Sequence, residues 1–187
     1  MKNRIPSDFK LHKYGVDVRL VEESDAKFIV DIRTKWNDTN FLEKTSPDVQ
    51  KQKEWIRAYK ERESLGVDYY FIYYAEGKPF GVNRIYDITE DECTGGSWVC
   101  APNTEPSLVI ISNIIEREII FDVLQYPYTR FEVSKGNDKI VKYHKSFGAT
   151  IVDENDVEYN FVITKETFNK KKEKFLRAMG YLKNNNQ

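Results

Sequence analysis

The stretch VSKGNDKIVKYHKSFGAT (residues 133–150) decides how the rest of this chain is read. It leaves a β-rich run, crosses Gly136 and Asn137, and enters a short amphipathic pattern that stops at Phe147-Gly148. Glycine just past the last apolar position ends a helix because it takes left-handed backbone without a Cβ penalty. Asn137 at the helix mouth has two readings, a cap on a Gly-Asn turn or a side chain held toward a ligand. Tyr143 and His144 follow about 100° apart on the helix, so one of them faces a cleft while the other packs or meets solvent. Tyr143 lies in line with Ile140 and Phe147 at helical spacing and is expected to face the core.

Working outward, TRFEVSK before the stretch is a strand and TIVDENDVEYNFVIT after it holds two strands joined by an acidic turn. Upstream, PSLVIISNIIEREIIFDVL (residues 106–124) is apolar on most of its circumference, as expected of a central helix packed on a sheet. Before it, VDYYFIYYAEGKPFGVNRIYDI is a hairpin turning at Glu76-Gly77-Lys78-Pro79, and CTGGSWVCA adds a third run to that meander. VDVRLV near the start is a strand, followed by one helix capped by Ser24 and a second capped by Ser46, with Pro47 as its first residue and Gly66 as its stop. The final KETFNKKKEKFLRAMGYLK is a basic helix carrying Phe168, Phe175 and Leu176. The order is β-α-α-β-β-β-α-β-α-β-β. It predicts residues 1–15 as an N-terminal extension, one domain over 16–179, and a polar tail at 180–187 that frays.

Composition narrows the function. The chain has 187 residues, enough for one domain with a real core. With 29 Lys and Arg against 30 Asp and Glu, the net charge of -1 exerts no long-range pull on nucleic acid or acidic membrane. Cys93, Cys100, His12 and His144 show none of the close spacings of a zinc site, so no metal is expected. The first residues lack a signal-peptide apolar core and no apolar run reaches bilayer length, which points to a soluble, cytoplasmic protein.

Two helices after the first strand, a meander, a buried helix, a strand and a short helix resemble the GCN5-related N-acetyltransferase (GNAT) superfamily over roughly residues 16–168. Residues 133–150 are similar to the family's second core motif: a strand, an Asn, a helix and a terminal Gly. The resemblance implies a mixed α/β (α+β) fold. Its mostly antiparallel sheet of about seven strands is flanked by helices and splayed between the fourth and fifth strands. It also implies an acyltransferase that moves an acetyl group from acetyl-CoA, as acyl-donor cosubstrate, to a primary amine. Trp98, Val99 and Cys100 would form the left lip that pairs with pantetheine, and Asn137 would help to hold the right lip and the cofactor arm.

The seventh position after Asn137, where the family commonly carries a Tyr that protonates the departing thiolate, is His144. Either His144 or Tyr143 can be that acid. Glu132 is a candidate base, as are Asp87, Asp91 and Glu92. Cys100 reads as a small buried strand residue. At the loop opening the central helix the family places an Arg or Gln and then glycines, whereas this chain has Glu105 there, followed by Pro106, Leu108 and Ile110. The backbone N–H groups of Ser107, Leu108 and Val109 are then the expected anion donors, with a repelling Glu beside them.

The YHKSFGA ending is similar to members that acetylate amino groups of nucleotide-linked sugars in bacterial surface-polysaccharide pathways, and this acceptor is favoured. The alternatives are a protein N-terminal acetyltransferase of the ribosomal-protein type, on the QKEWIRAYKER helix, and a non-catalytic binding module with a degenerate pyrophosphate loop. The expected partners are a small-molecule amine and, in a homodimer, a second copy of the chain, with no nucleic acid and no membrane.

Overall fold

The computed structural model describes residues 4–35, 41 and 45–182. Its strands are β1 (Lys10–Lys13), β2 (Val16–Leu20), β3 (Tyr69–Ala75), β4 (Lys78–Tyr86), β5 (Thr94–Cys100), β6 (Tyr128–Ser134), β7 (Thr150–Glu154) and β8 (Glu158–Thr164). Its helices are α1 (Ala26–Val30), α2 (Val49–Leu65), α3 (Pro106–Glu118), α4 (Asp138–Ser146) and α5 (Lys165–Ala178). The strands form one sheet in the order β1-β2-β3-β4-β5-β6-β8-β7. Every neighbouring pair is antiparallel except β5 and β6. The sheet has eight strands rather than seven because Lys10–Lys13 pairs along the outer edge of β2.

Period-2 alternation sorts the strands into two cores. In β3, Tyr69, Phe71 and Tyr73 enter the core beneath α3 and α5, while Tyr70 and Ile72 enter the core beneath α1 and α2. A strand buried on both faces needs an unbroken apolar run, which YYFIYY supplies. The hairpin to β4 turns at Glu76 (φ 50°) and Gly77 (φ 74°), both left-handed as a two-residue turn between twisted strands requires.

Helix starts are where the sequence and the structure differ. Ser24, expected as a cap, sits inside a 3-10 turn (Glu23–Asp25); Glu22 holds the cap position and its N–H donates to Asp25 Oδ2 at 2.8 Å. α1 runs on into a π-helical turn, Asp31–Lys35. α2 begins at Val49 rather than Pro47, because Asp48 takes the cap from Ser46 and accepts from the Gln50 N–H at 2.8 Å. A carboxylate there meets both an unpaired donor and the positive end of the helix dipole. Gly66 ends α2 in left-handed geometry, as its position predicts. Beyond Leu182 the tail lies outside the described residues, as do residues 1–3.

One buried charge ties α2 to the sheet. Asp68 is 2% exposed and accepts from Arg62 Nε at 2.9 Å and from Arg84 Nη2 at 2.6 Å, while the Arg84 guanidinium also lies 5.1 Å over the Trp55 ring. Removing the acid leaves a half-buried cation without its counter-charge. Asp68→Ala is expected to lower unfolding stability by about 3 kcal/mol in denaturant titration.

Candidate active site

β5 and β6 are held together at one end. Thr94 pairs with Arg130, the Arg130 N–H donates to the Cys93 carbonyl at 3.1 Å, and the buried Thr129 hydroxyl donates to the same carbonyl at 3.0 Å. Beyond this point the two strands part. On its other edge β5 bulges: Val82 pairs with Val99 and Arg84 with Gly96, so Ser97 and Trp98 together oppose Asn83, with Ser97 at φ 51°. A bulge re-aims backbone groups away from the ladder and toward the gap.

The gap is a cleft of about 470 Å³ that passes through the sheet. Gly95, Gly96, Ser97 and Trp98 line one wall and residues 131–134 the other, with α3 and α4 closing one end. Both glycines sit against the ends of neighbouring side chains, which would have to shift to admit a Cβ. A Cβ on Gly95 would lie 2.6 Å from Glu116 Oε1, and one on Gly96 would lie 2.9 Å from the Tyr86 hydroxyl.

Alternation along β6 assigns each side chain to a mouth. Phe131 and Val133 belong to the core beneath α3 and α5. Glu132 points the opposite way, accepts from the Tyr86 hydroxyl at 3.3 Å, and shares that mouth with Glu158. Burial, and then the Glu158 charge, raise the Glu132 carboxyl above its ordinary range.

α4 closes the other mouth. Asn137 holds the N-cap position, yet its side chain makes no cap bond; its backbone carbonyl accepts from the Ile140 and Val141 N–H groups at 3.0 Å each. The side chain lines the cleft. His144, a candidate for the surface if Tyr143 packed inward, is 6% exposed and also lines the cleft, 4.4 Å from Phe131 between ring centroids. Burial and the nearby Arg117 charge hold its imidazole well below the usual range, so it is neutral at physiological pH. Tyr143 packs on Phe147 at 5.2 Å and on Trp98 at 5.5 Å, and its hydroxyl donates to Asn113 Oδ1 at 3.1 Å. Its proton is therefore directed at α3, and burial raises its phenol far above 10.

Trp98 lines the cleft and donates from Nε1 to Ser112 at 2.9 Å. The Val99 side chain packs in the α1–α2 core, and that of Cys100 lies against Ser112. Burial pushes the Cys100 thiol up to about 11, which rules it out as a ready nucleophile. Asp87, Asp91 and Glu92 stand outside the cleft lining, and Glu92 is taken by Arg130 at 2.6 Å. At the start of α3 one expectation is corrected. The Val109 N–H donates to the Glu105 carbonyl at 3.1 Å, so the first-turn donors with no carbonyl one turn behind them are those of Ser107 and Leu108.

The sequence reading passed over the polar face of α3. Ser112, Asn113, Glu116 and Arg117 are all buried, and the last three line the cleft. Their spacing is helical, and four polar residues on one face of an otherwise apolar helix were a visible signal. Asn113 Nδ2 donates to Glu116 Oε2 at 2.7 Å, while Glu116 Oε1 and Arg117 Nη1 have no partner. Burial raises the Glu116 carboxyl to about 7.

A second pocket of about 250 Å³ lies between α1, α2 and the sheet. Arg33, Arg84 and Ser97 line both cavities, and Lys51, Thr45, Ser46 and Trp55 line the second. The Glu132 mouth thus opens onto a basic, hydroxyl-bearing surface with the half-buried Trp55 ring in its wall. Among the described residues no His, Cys, Asp or Glu cluster could hold a metal ion, and no helix is long and apolar enough to cross a membrane.

No family model and no curated protein matches the sequence. A sheet opened between two parallel strands leaves backbone N–H and C=O groups in want of partners, which an extended amide-bearing ligand can supply. The chain belongs to the GCN5-related N-acetyltransferases, which use acetyl-CoA as acyl donor. It is similar to apo FdhC, a nucleotide-linked sugar GNAT, at 33% identity and a TM-score of 0.82, over 91% of this chain and 98% of that one. It shares its fold with Mycobacterium smegmatis RimJ in complex with CoA-disulfide, at 17% identity, TM-score 0.72, and 97% and 94% of the two chains. It also shares it with a ribosomal-protein-S5-alanine acetyltransferase from Vibrio fischeri, at 15% identity, TM-score 0.72, and 85% and 98%.

The Glu116 carboxyl has a sign that can be measured. Its pKa is higher in the folded state, about 7 against 4.5, so the folded protein binds the proton more tightly. That contribution is complete below pH 4.5 and is lost as pH rises through 7. Glu116→Gln is expected to remove the loss, leaving the variant more stable than the parent at pH 8 by on the order of 3 kcal/mol and level with it near pH 4.5. Denaturant unfolding at the two pH values checks this.

Proposed function

We propose that this protein transfers the acetyl group of acetyl-CoA to the amine of a nucleotide-linked amino sugar in the cytoplasm. The observation that carries the acceptor is the continuity of the splay cleft with the pocket that carries Arg33 and Lys51, which suits a diphosphate linked to an amino sugar; Arg84, shared by both walls, is held by Asp68. The likeness to a nucleotide-linked sugar GNAT at 33% identity supports the same class.

The chain's donors fit the thioester end of acetyl-CoA, which supplies the activated acetyl group. The Trp98–Cys100 lip and the bulge at Ser97 offer backbone groups to an extended amide-bearing arm, and Asn137 faces the cleft with its side chain uncommitted to the helix cap. Ser107 and Leu108 offer two N–H groups to the pyrophosphate, with Glu105 beside them. Val109 plays no donor part.

Glu132, at the acceptor mouth with a raised pKa, takes the proton of the incoming ammonium. His144, neutral at the opposite mouth, presents an N–H to the departing sulfur. Tyr143 is less suited, because its hydroxyl proton is engaged by Asn113.

His144→Ala is expected to lower kcat on the order of 100-fold with KM for acetyl-CoA nearly unchanged, and Tyr143→Phe to lower it by less. Thiol release across a panel of nucleoside-diphosphate amino sugars, polyamines and peptide N-termini reads both the turnover and the acceptor class. A panel in which only peptides or polyamines react would sink the sugar assignment, and turnover that collapses only in Tyr143→Phe would reverse the acid.

Glu105→Gln is expected to tighten acetyl-CoA, more at low salt, by removing a like charge beside the pyrophosphate. Calorimetric titration at two ionic strengths measures it. No acetyl-CoA binding at millimolar ligand would leave the non-catalytic module as the reading.

A further inference from the structure

Arg117 is the buried cation that the reaction as described does not use. It is 3% exposed on α3, its guanidinium carbon lies 4.3 Å from the Phe131 ring centroid, and Nη1 has no hydrogen-bond partner. That atom is itself buried and stands 3.0 Å from where a Cβ on Gly95 would sit, so the absence of a side chain at Gly95 leaves it room beside the cleft that Arg117 lines. A guanidinium stays charged at every accessible pH, and leaving one of its N–H groups unpaired in a dry interior is costly unless a ligand meets it. The same charge is felt at His144, whose imidazole it helps to keep neutral.

We propose that Arg117 is a further catalytic residue, donating a hydrogen bond from Nη1 to the sulfur anion that forms as the thioester is cleaved. The inference rests on the acetyl-transfer reading above. In that reaction the amine nitrogen forms its bond to the carbonyl carbon, the C–S bond breaks, and its electron pair goes to sulfur. The substrate ammonium gives one proton to Glu132 before attack, the second N–H proton leaves to solvent as the amide forms, and sulfur takes a proton afterwards through His144, which is reloaded from solvent. Arg117 stays protonated throughout.

A neutral imidazole alone is a weak acid for this step, whereas a fixed cation in a water-poor cleft stabilises the leaving charge before any proton moves. Around Arg117, α3 presents Glu116 and Asn113, α4 presents Tyr143 and His144, β5 presents Gly95, and β6 presents the Phe131 ring. Glu116 is the carboxyl nearest the proposed anion, and Asn113 holds its other oxygen.

Product CoA bound to the full-length protein is the probe. Its thiolate absorbance is titrated against pH, with the desulfo-CoA complex as blank. In the parent protein the bound thiol is expected to ionise at least one pH unit below free CoA, a tenfold gain in thiolate. Arg117→Gln should return it to the free value, Arg117→Lys should keep part of the shift, and Glu116→Gln should enlarge it. Arg117→Gln should also lower kcat roughly 100-fold while KM for acetyl-CoA stays within a few-fold.

A bound thiol that titrates with free CoA in the parent, or a shift that survives Arg117→Gln, overturns the assignment and leaves acetyl transfer standing. Failure of CoA to bind the parent at all overturns the acetyl-transfer reading, and this inference with it. If Arg117→Gln does not fold, the parent and Arg117→Lys titrations decide.

Discussion

The organisation of this protein depends on how briefly β5 and β6 stay together. Parallel strands normally exchange hydrogen bonds along their length, and separating them exposes donors and acceptors that must find other partners. Here the pairing is confined to Thr94 with Arg130 and fastened by the Thr129 hydroxyl on the Cys93 carbonyl. Beyond that clasp the backbone of Ser97 and Trp98 turns off its other ladder as well. The sheet tolerates the opening because β6 is fully paired to β8 on its outer side, from Tyr128 to Ser134. The opening is thus built into the pairing of the sheet, and the absence of side chains at Gly95 and Gly96 leaves room for Glu116, Arg117 and Tyr86 beside it.

The opening divides the chemistry between two faces. β6 sends Glu132 to the side of α1 and α2, where Tyr86 and the arginines lie, and sends Phe131 to the side of α3 and α4, where His144 and Arg117 lie. In the proposed reaction, a carboxyl with a raised pKa on one side and a neutral imidazole beside a permanent cation on the other would give the two mouths opposite tasks. Proton removal suits the first, and stabilisation of a leaving anion suits the second. The polar face of α3 costs stability, because Glu116 and Arg117 are buried with atoms unpaired, and that is the signature of a surface shaped for a ligand.

Much of the fold was legible in the chain. The doubly apolar YYFIYY run, the Glu76-Gly77 turn, Gly66 and Gly148 after their helices, and the Asn137 motif each carry a local physical preference that the structure keeps. Where the reading slipped, a nearby residue met the same need better: Asp48 displaced Ser46, and Glu22 displaced Ser24. β1 escaped notice because KLHK has little alternation and gains its order from the β2 edge. Val109 was assigned one donor too many, since the Glu105 carbonyl lies one turn behind it.

The sequence by itself determined the order of elements from β2 onward, the left-handed stops, the place of Asn137 at the mouth of α4 and of His144 within it, and the loss of glycine before α3. These are set by neighbours a few residues away, through backbone conformation and hydrogen bonds within a turn. Only the tertiary structure decided that Tyr143 gives its proton to Asn113 and that His144 is buried and neutral. The tertiary structure alone also brought Gly95, Glu116 and Arg117 to one point. Those outcomes depend on burial, and on charges contributed by β5, α3 and α4 together. Desolvation and long-range pairing act across space, and no local pattern in the chain encodes them.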